Sequence, residues 1–157
     1  MQKVMDSVIT LPDRSDTTLT HISEKVTFQW LHDGQAYETK TTGAKREDID
    51  AYINANLAAI QQWDTALPFY SVQNISHKDV SITPYFKVRL ADAATLMEER
   101  GVRGYSMVIL NNGFSGNLLK LLSRFFVNRV NSSVTQIWFT DHQKAYTELE
   151  TRMASGR

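Results

Sequence analysis

Residues 69–110 most restrict the fold, because they hold two apolar strand-like runs separated by one amphipathic helix. Residues 69–75 have the aromatic and β-branched content of a short strand. Residues 105–110 are nearly continuous in apolar character, as parallel strands covered on both faces are. Between them Thr83-Pro84 opens a helix, with threonine as N-cap and proline at the first helical position, where a missing N–H costs nothing. Phe86, Leu90, Ala94 and Met97 follow at helical spacing, and Gly101 stands where a left-handed C-terminal residue is wanted. The spacing predicts a crossover unit whose strands are parallel sheet neighbours. What remains, residues 76–83, is too polar for a core element and marks a loop as the functional place.

The flanking sequence extends this unit. Val26, Phe28 and Trp30 alternate with Thr27 and Gln29, the period of a half-buried strand. Asp33-Gly34 is a preferred two-residue type I′ turn. It predicts Leu31 opposite Ala36 and Trp30 opposite Tyr37, with those two rings stacked on the core face for about 0.2–1 kcal/mol. Tyr37 and Thr39 continue that face, while Glu38 and Lys40 are expected to face water. A helix is predicted from Arg46 to about Asp64, with Ile49, Ile53, Leu57 and Ile60 on one stripe and Tyr52 and Trp63 beside it.

After residue 110, Asn111-Asn112-Gly113 reads as a turn. A helix follows with Phe114, Leu118, Leu121, Leu122 and Phe125 on one face. Residues 134–139 read as the last strand. Thr140 to Gln143 form a capping box with Thr140 as cap, and Ala145, Leu149 and Met153 make the last helix amphipathic. Residues 1–24 are an N-terminal arm, partly ordered or lying on the domain, where residues 8–11 could add an edge strand. Residues 25–157 are expected to form one α/β domain of order β-β-α-β-α-β-α-β-α, with a mixed, mostly parallel sheet.

With 157 residues there is room for one full core. The 17 basic and 17 acidic residues cancel, so the whole-chain field favours neither nucleic acid nor an anionic membrane. The absence of cysteine removes disulfides, thiolate metal sites and cysteine nucleophiles. No apolar run approaches the roughly 18 residues of a membrane span, and the first residues lack the apolar core of a signal peptide. A soluble, cytoplasmic protein, bacterial in style, is expected.

The order of elements, the strand–polar loop–helix unit at residues 69–100, and the closing strand and helix at residues 137–146 resemble the STAS domain and the wider SpoIIAA-like superfamily, the fold of the anti-sigma-factor antagonists. The resemblance covers residues 25–153. It implies a SpoIIAA-like fold, a regulatory role, a protein partner, and no enzymatic activity or cofactor. In antagonists, a serine in an Asp-Ser-Ser-Gly loop at the helix start is phosphorylated by a partner kinase. Here Asp79 and Ser81 sit near that place, the Ser-Ser-Gly is absent, and Pro84 starts the helix. The chain thus resembles a divergent member rather than a working antagonist, with its partner surface at residues 76–97.

In open α/β sheets, ligands gather beyond the carboxyl ends of the strands. Ser76, His77, Asp79, Ser81 and Thr83 occupy one such end, Asn111 and Asn112 a second, and His142 a third. If these loops converge they form one rim, for a protein partner or for a small anion or lipid at the helix N-termini. The same residue types also make caps and turns for local reasons. His77 with Asp79 and Ser81 invites comparison with a hydrolytic triad but lacks a nucleophile elbow. The four histidines, at unrelated positions, give no metal signature, and neither a catalytic nor a metal residue is assigned. Lys120, Arg124 and Arg129 suit an acidic partner or a solvated helix face. Phe125 and Phe126 cannot share one helical face, which leaves one for a homodimer contact or for a wide apolar side.

Overall fold

The hairpin register follows the turn. In a computed structural model describing residues 9–111 and 134–156, strands β2 (Val26–Leu31) and β3 (Ala36–Thr41) pair antiparallel. Leu31 stands opposite Ala36 and Trp30 opposite Tyr37. Left-handed backbone runs through His32, Asp33 and Gly34, at φ of 50°, 56° and 83°. It begins one residue before the Asp33-Gly34 turn closed by the Gln35 N–H on the His32 carbonyl. The ring geometry differs from the expected stack. Trp30 meets Tyr37 edge-on, at 5.9 Å between centroids and 77°. It is Phe28, diagonally across the pair, that stacks on Tyr37 at 5.3 Å and 19°. The Trp30 indole is held by its N–H, which donates to the Pro12 carbonyl at 2.8 Å.

The helix α1 (Arg46–Gln61) ends before Asp64, yet Trp63 beyond it stays buried against Trp30 and Phe69. Strand β4 (Phe69–Asn74), helix α2 (Pro84–Arg100) and strand β5 (Gly104–Ile109) form the expected crossover unit. β4 and β5 are parallel neighbours. The α2 caps are those the sequence predicts: Thr83 Oγ1 accepts from the Phe86 amide, Pro84 opens the helix, and Gly101 closes it at φ 69°. Strand β6 (Val134–Phe139) pairs parallel with β5 and leads to helix α3 (His142–Ser155). The N-cap of α3 is Asp141, not Thr140, because the Asp141 carboxylate accepts from the amides of both Gln143 and Lys144 and places a negative charge at the positive helix end.

These strands form a six-stranded mixed sheet in sequential order, with an added edge strand β1 (Thr20–His21) pairing antiparallel with β2. Asn112, the helical face from Phe114 to Phe125, the basic residues Lys120, Arg124 and Arg129, and Phe126 lie outside the described residues.

Helices α1 and α2 pack together on one face, over Phe28, Trp30, Tyr37, Phe69 and Val108. Helix α3 covers the other face through Ala145 and Leu149, over Val72, Met107 and Ile109. Burying each such large apolar chain contributes roughly 1.5–3 kcal/mol. Residues 9–11 form no strand, but Ile9 and Leu11 pack against the core on the α1 side. The Arg14 guanidinium lies over Trp63 at 4.5 Å and Trp30 at 5.0 Å. Helix α3 packs chiefly on β4, β5 and β6 and reaches β3 through Tyr146 on Glu38, and among the described residues no helix packs over the outer face of β1 and β2 beside it.

Candidate functional site

Parallel pairing brings the carboxyl ends of β4, β5 and β6 to one edge of the sheet, and Asn74, the last residue of β4, organises that edge. Asn74 is 3% exposed. Its Oδ1 accepts from the Ser76 amide at 3.2 Å and from Ser76 Oγ at 2.6 Å. That fixes the amide orientation, so Nδ2 faces His142 Nε2 at 3.0 Å and Glu38 Oε2 at 3.4 Å. Since an amide nitrogen only donates, His142 Nε2 must accept, and the neutral ring carries its proton on Nδ1. Asn111 Nδ2 donates to the His77 carbonyl at 3.3 Å.

Asn74, Ser76, His77, Asn111 and His142 are thus linked in two hydrogen-bonded groups along the edge. The other candidates are placed differently. Asp79 donates its amide to His77 Nδ1 at 3.1 Å. That ring nitrogen is therefore unprotonated, and the Asp79 carboxylate 3.8 Å away makes no ion pair with it in this state. Thr83 is occupied as the α2 cap, and Ser81 is exposed. Among the described residues no hydroxyl hydrogen-bonds either imidazole, and no group of three His, Asp or Glu is placed to hold a metal ion.

A groove of about 430 Å³ lies on the outer face of β1 to β3, against α3. Its floor is a cross-strand row that the register sets: His21 opposite Thr27, Thr27 opposite Lys40, Lys40 opposite Asn74. His142 and Tyr146, one turn apart on α3, form one wall. Glu38 does not face bulk water as expected. It is half-buried, and its carboxylate accepts from the Tyr146 hydroxyl and from Asn74. Burial first, then the Glu38 hydrogen bond and charge, push the Tyr146 phenol above its ordinary range, so it remains a donor. Sequence reasoning placed Asn74 at the start of the first polar strand end without giving it a role, and it missed Glu38, Tyr146, Lys40 and His21. Their only signal was polar alternation on the outer face, which reads equally as a solvated surface.

A second polar network is buried on the opposite face, under α1. The Tyr37 hydroxyl donates to Asn56 Oδ1 at 2.7 Å, and Tyr52 donates to Gln73 Oε1. Gln73 Nε2 donates to Asn56 Oδ1 at 2.8 Å, and Asn56 Nδ2 to Thr39 Oγ1 at 3.1 Å. Thr39 Oγ1 donates to Gln73 Oε1 at 2.8 Å, which closes the ring of contacts. Burial pushes both the Tyr37 and Tyr52 phenols above their ordinary range. A fully paired network of this kind fixes α1 to β3 and β4 and offers no free group for chemistry. Compared with known proteins, the sequence matches no family model, no curated protein and no solved structure.

Proposed function

We propose that the chain is a non-enzymatic regulatory or protein-interaction module of SpoIIAA-like, STAS-like fold, with its partner surface at residues 76–97. The supporting observation is a loop with an anchored base and a free tip. Asn74, Ser76, His77 and Asn111 hold the base, while Lys78, Asp79, Ser81 and Pro84 are exposed. Val88 continues this surface onto α2 at 61% exposure, an apolar side chain a partner would cover. An opening antiparallel pair continued by parallel strands supports the fold reading. The alternative, a small anion or lipid at the helix N-termini, competes with caps already filled by Thr83 and by the negative Asp141.

Affinity capture from the native cell, followed by titration of the purified partner, tests this reading. Ser81→Asp and Val88→Glu should each weaken the same partner about tenfold or more while leaving the melting temperature in place, since both sites are exposed. Phe86→Ala is the folding control, because removing that buried ring costs about 3–5 kcal/mol. Unchanged affinity in both surface variants would remove residues 76–97 from the interface.

A further inference from the structure

We propose that residues 76–81 form a proton-operated switch, set in its present shape by a neutral His77 ring and released when that ring takes a second proton. The switch stands on the loop's own geometry, and only its consequence for a partner rests on the surface proposed above.

The charge can arrive at one atom only. A neutral imidazole has one N–H and one acceptor nitrogen, and a backbone amide N–H can only donate. The Asp79 amide donates to His77 Nδ1 at 3.1 Å, so the ring's own proton is on Nε2 and a second proton has Nδ1 as its place. There it meets the Asp79 N–H, donor against donor, and the contact opens. An acceptor for the new N–H lies close by: Asp79 Oδ2 is 3.8 Å from Nδ1, outside hydrogen-bond length. Closing that gap makes a charge-assisted bond. One nitrogen thus chooses between the amide and the carboxylate of the same residue, and the amide must turn away for the carboxylate to come in. The ring is 35% exposed, so it exchanges protons with solvent while the core stays folded.

The loop is anchored on both sides of this contact. The His77 carbonyl accepts from the Val80 amide at 3.0 Å and from Asn111 Nδ2 at 3.3 Å. Val80 is buried with Ile75 and Phe86, and Ser76 is held by Asn74. Between these anchors Lys78 and Asp79 are exposed, and exposed Ser81 follows. The charged groups nearest the ring belong to its own loop: the Asp79 carboxylate, and the Lys78 ammonium next to it in the chain. The end of β5 presents the uncharged Asn111. At the loop base, Asn74 connects to His142 and Glu38 across the sheet edge. His142 is a second imidazole linked to the loop, so it needs its own control.

Amide and imidazole NMR of the full chain between pH 8 and pH 5, the range in which imidazoles titrate, tests the switch. At pH 8 the His77 ring nitrogens should show the Nε2–H tautomer. As pH falls, the Asp79 amide should shift with the same midpoint as the His77 ring. The temperature dependence of that amide shift should steepen to that of a free amide, a change that a nearby charge alone does not produce. Val72 and Met107, inside the sheet, should keep their positions. His77→Gln should abolish the Asp79 transition, and His142→Gln should leave it. An Nδ1–H tautomer at pH 8, an Asp79 amide that stays hydrogen-bonded through the ring's titration, or a transition that survives in a folded His77→Gln protein would each overturn the proposal. With the captured partner, affinity should change across the same pH range in the wild type and not in His77→Gln. A switch that operates while affinity ignores it would count against the loop as the partner surface and leave the switch standing.

Discussion

Asn74 illustrates how one side chain joins two places. Its carbonyl oxygen fixes the start of the loop through Ser76, and its nitrogen serves Glu38 and His142 on the outer face. Asn74→Asp keeps the acceptor and loses the donors, and it sets a carboxylate beside Glu38. The expected cost is about 1–3 kcal/mol at neutral pH. Like charge raises the folded-state pKa of the introduced carboxyl above its unfolded value. The lost stability therefore returns as pH falls through that raised value, and urea unfolding at pH 7 and pH 5 should show the gap closing. A deficit that is the same at both pH values would mean the carboxylates do not meet. Nothing in the strand pattern of residues 69–75 singled out Asn74, since a polar residue ending an apolar strand is ordinary. Its partners Glu38 and His142 are 36 and 68 residues away in the chain. Arg14 was equally hidden, because its partners Trp30 and Trp63 are joined only by the folded arm. Arg14→Ala should cost about 0.5–2 kcal/mol, the range of a cation–π contact, and shift tryptophan emission to the red.

At the scale of elements, the sequence signals that worked were local ones. The Asp33-Gly34 turn set the β2–β3 register, and Thr83, Pro84 and Gly101 set both ends of α2. Those signals act through backbone geometry within four residues and need no knowledge of the fold. The α3 boundary shows the limit of such reasoning. Thr140 and Asp141 are both good capping types, and which one is used depends on the exit angle from β6. The structure chooses Asp141. Asp141→Ala should therefore cost about 0.5–2 kcal/mol in chemical unfolding while Thr140→Ala stays near zero. The reverse order would restore the Thr140 cap. Ring geometry in the hairpin escaped for a different reason: the register fixes which residues are opposite, but Pro12 and Trp63 decide how Trp30 is turned.

For the whole molecule, the two polar assemblies on opposite faces of one sheet have opposite characters. The outer-face groove is half-open and leaves Lys40 free among the described residues, whereas the network under α1 is closed and fully paired. Alternation in β3 was legible and put Thr39 on the core face and Lys40 on the wet one, as they stand, but it could not show that Glu38 would be drawn into hydrogen bonds with Tyr146 and Asn74. The closed network makes a prediction that belongs to the fold as a whole. Unfolded phenols ionise near pH 10, while burial holds Tyr37 and Tyr52 protonated well above that. Above pH 10 the unfolded chain therefore binds fewer protons than the folded one, and stability falls as pH rises, by about 1.4 kcal/mol per pH unit for each phenol. Over two pH units the pair removes roughly 5 kcal/mol, which is comparable to the total stability of many small domains. Tyr146, raised as well, adds the same sign. Alkaline unfolding should thus set in between about pH 11 and 12, with phenolate absorbance rising together with the loss of near-ultraviolet circular dichroism. Tyr52→Phe should flatten the slope by about a third, one raised phenol of the three, in a protein that stays folded because Gln73 Oε1 keeps its bond from Thr39. Phenolate absorbance that completes its rise while the fold persists would show that these hydroxyls reach water without unfolding, and that the network under α1 is not the closed seam that ties the helix to the sheet.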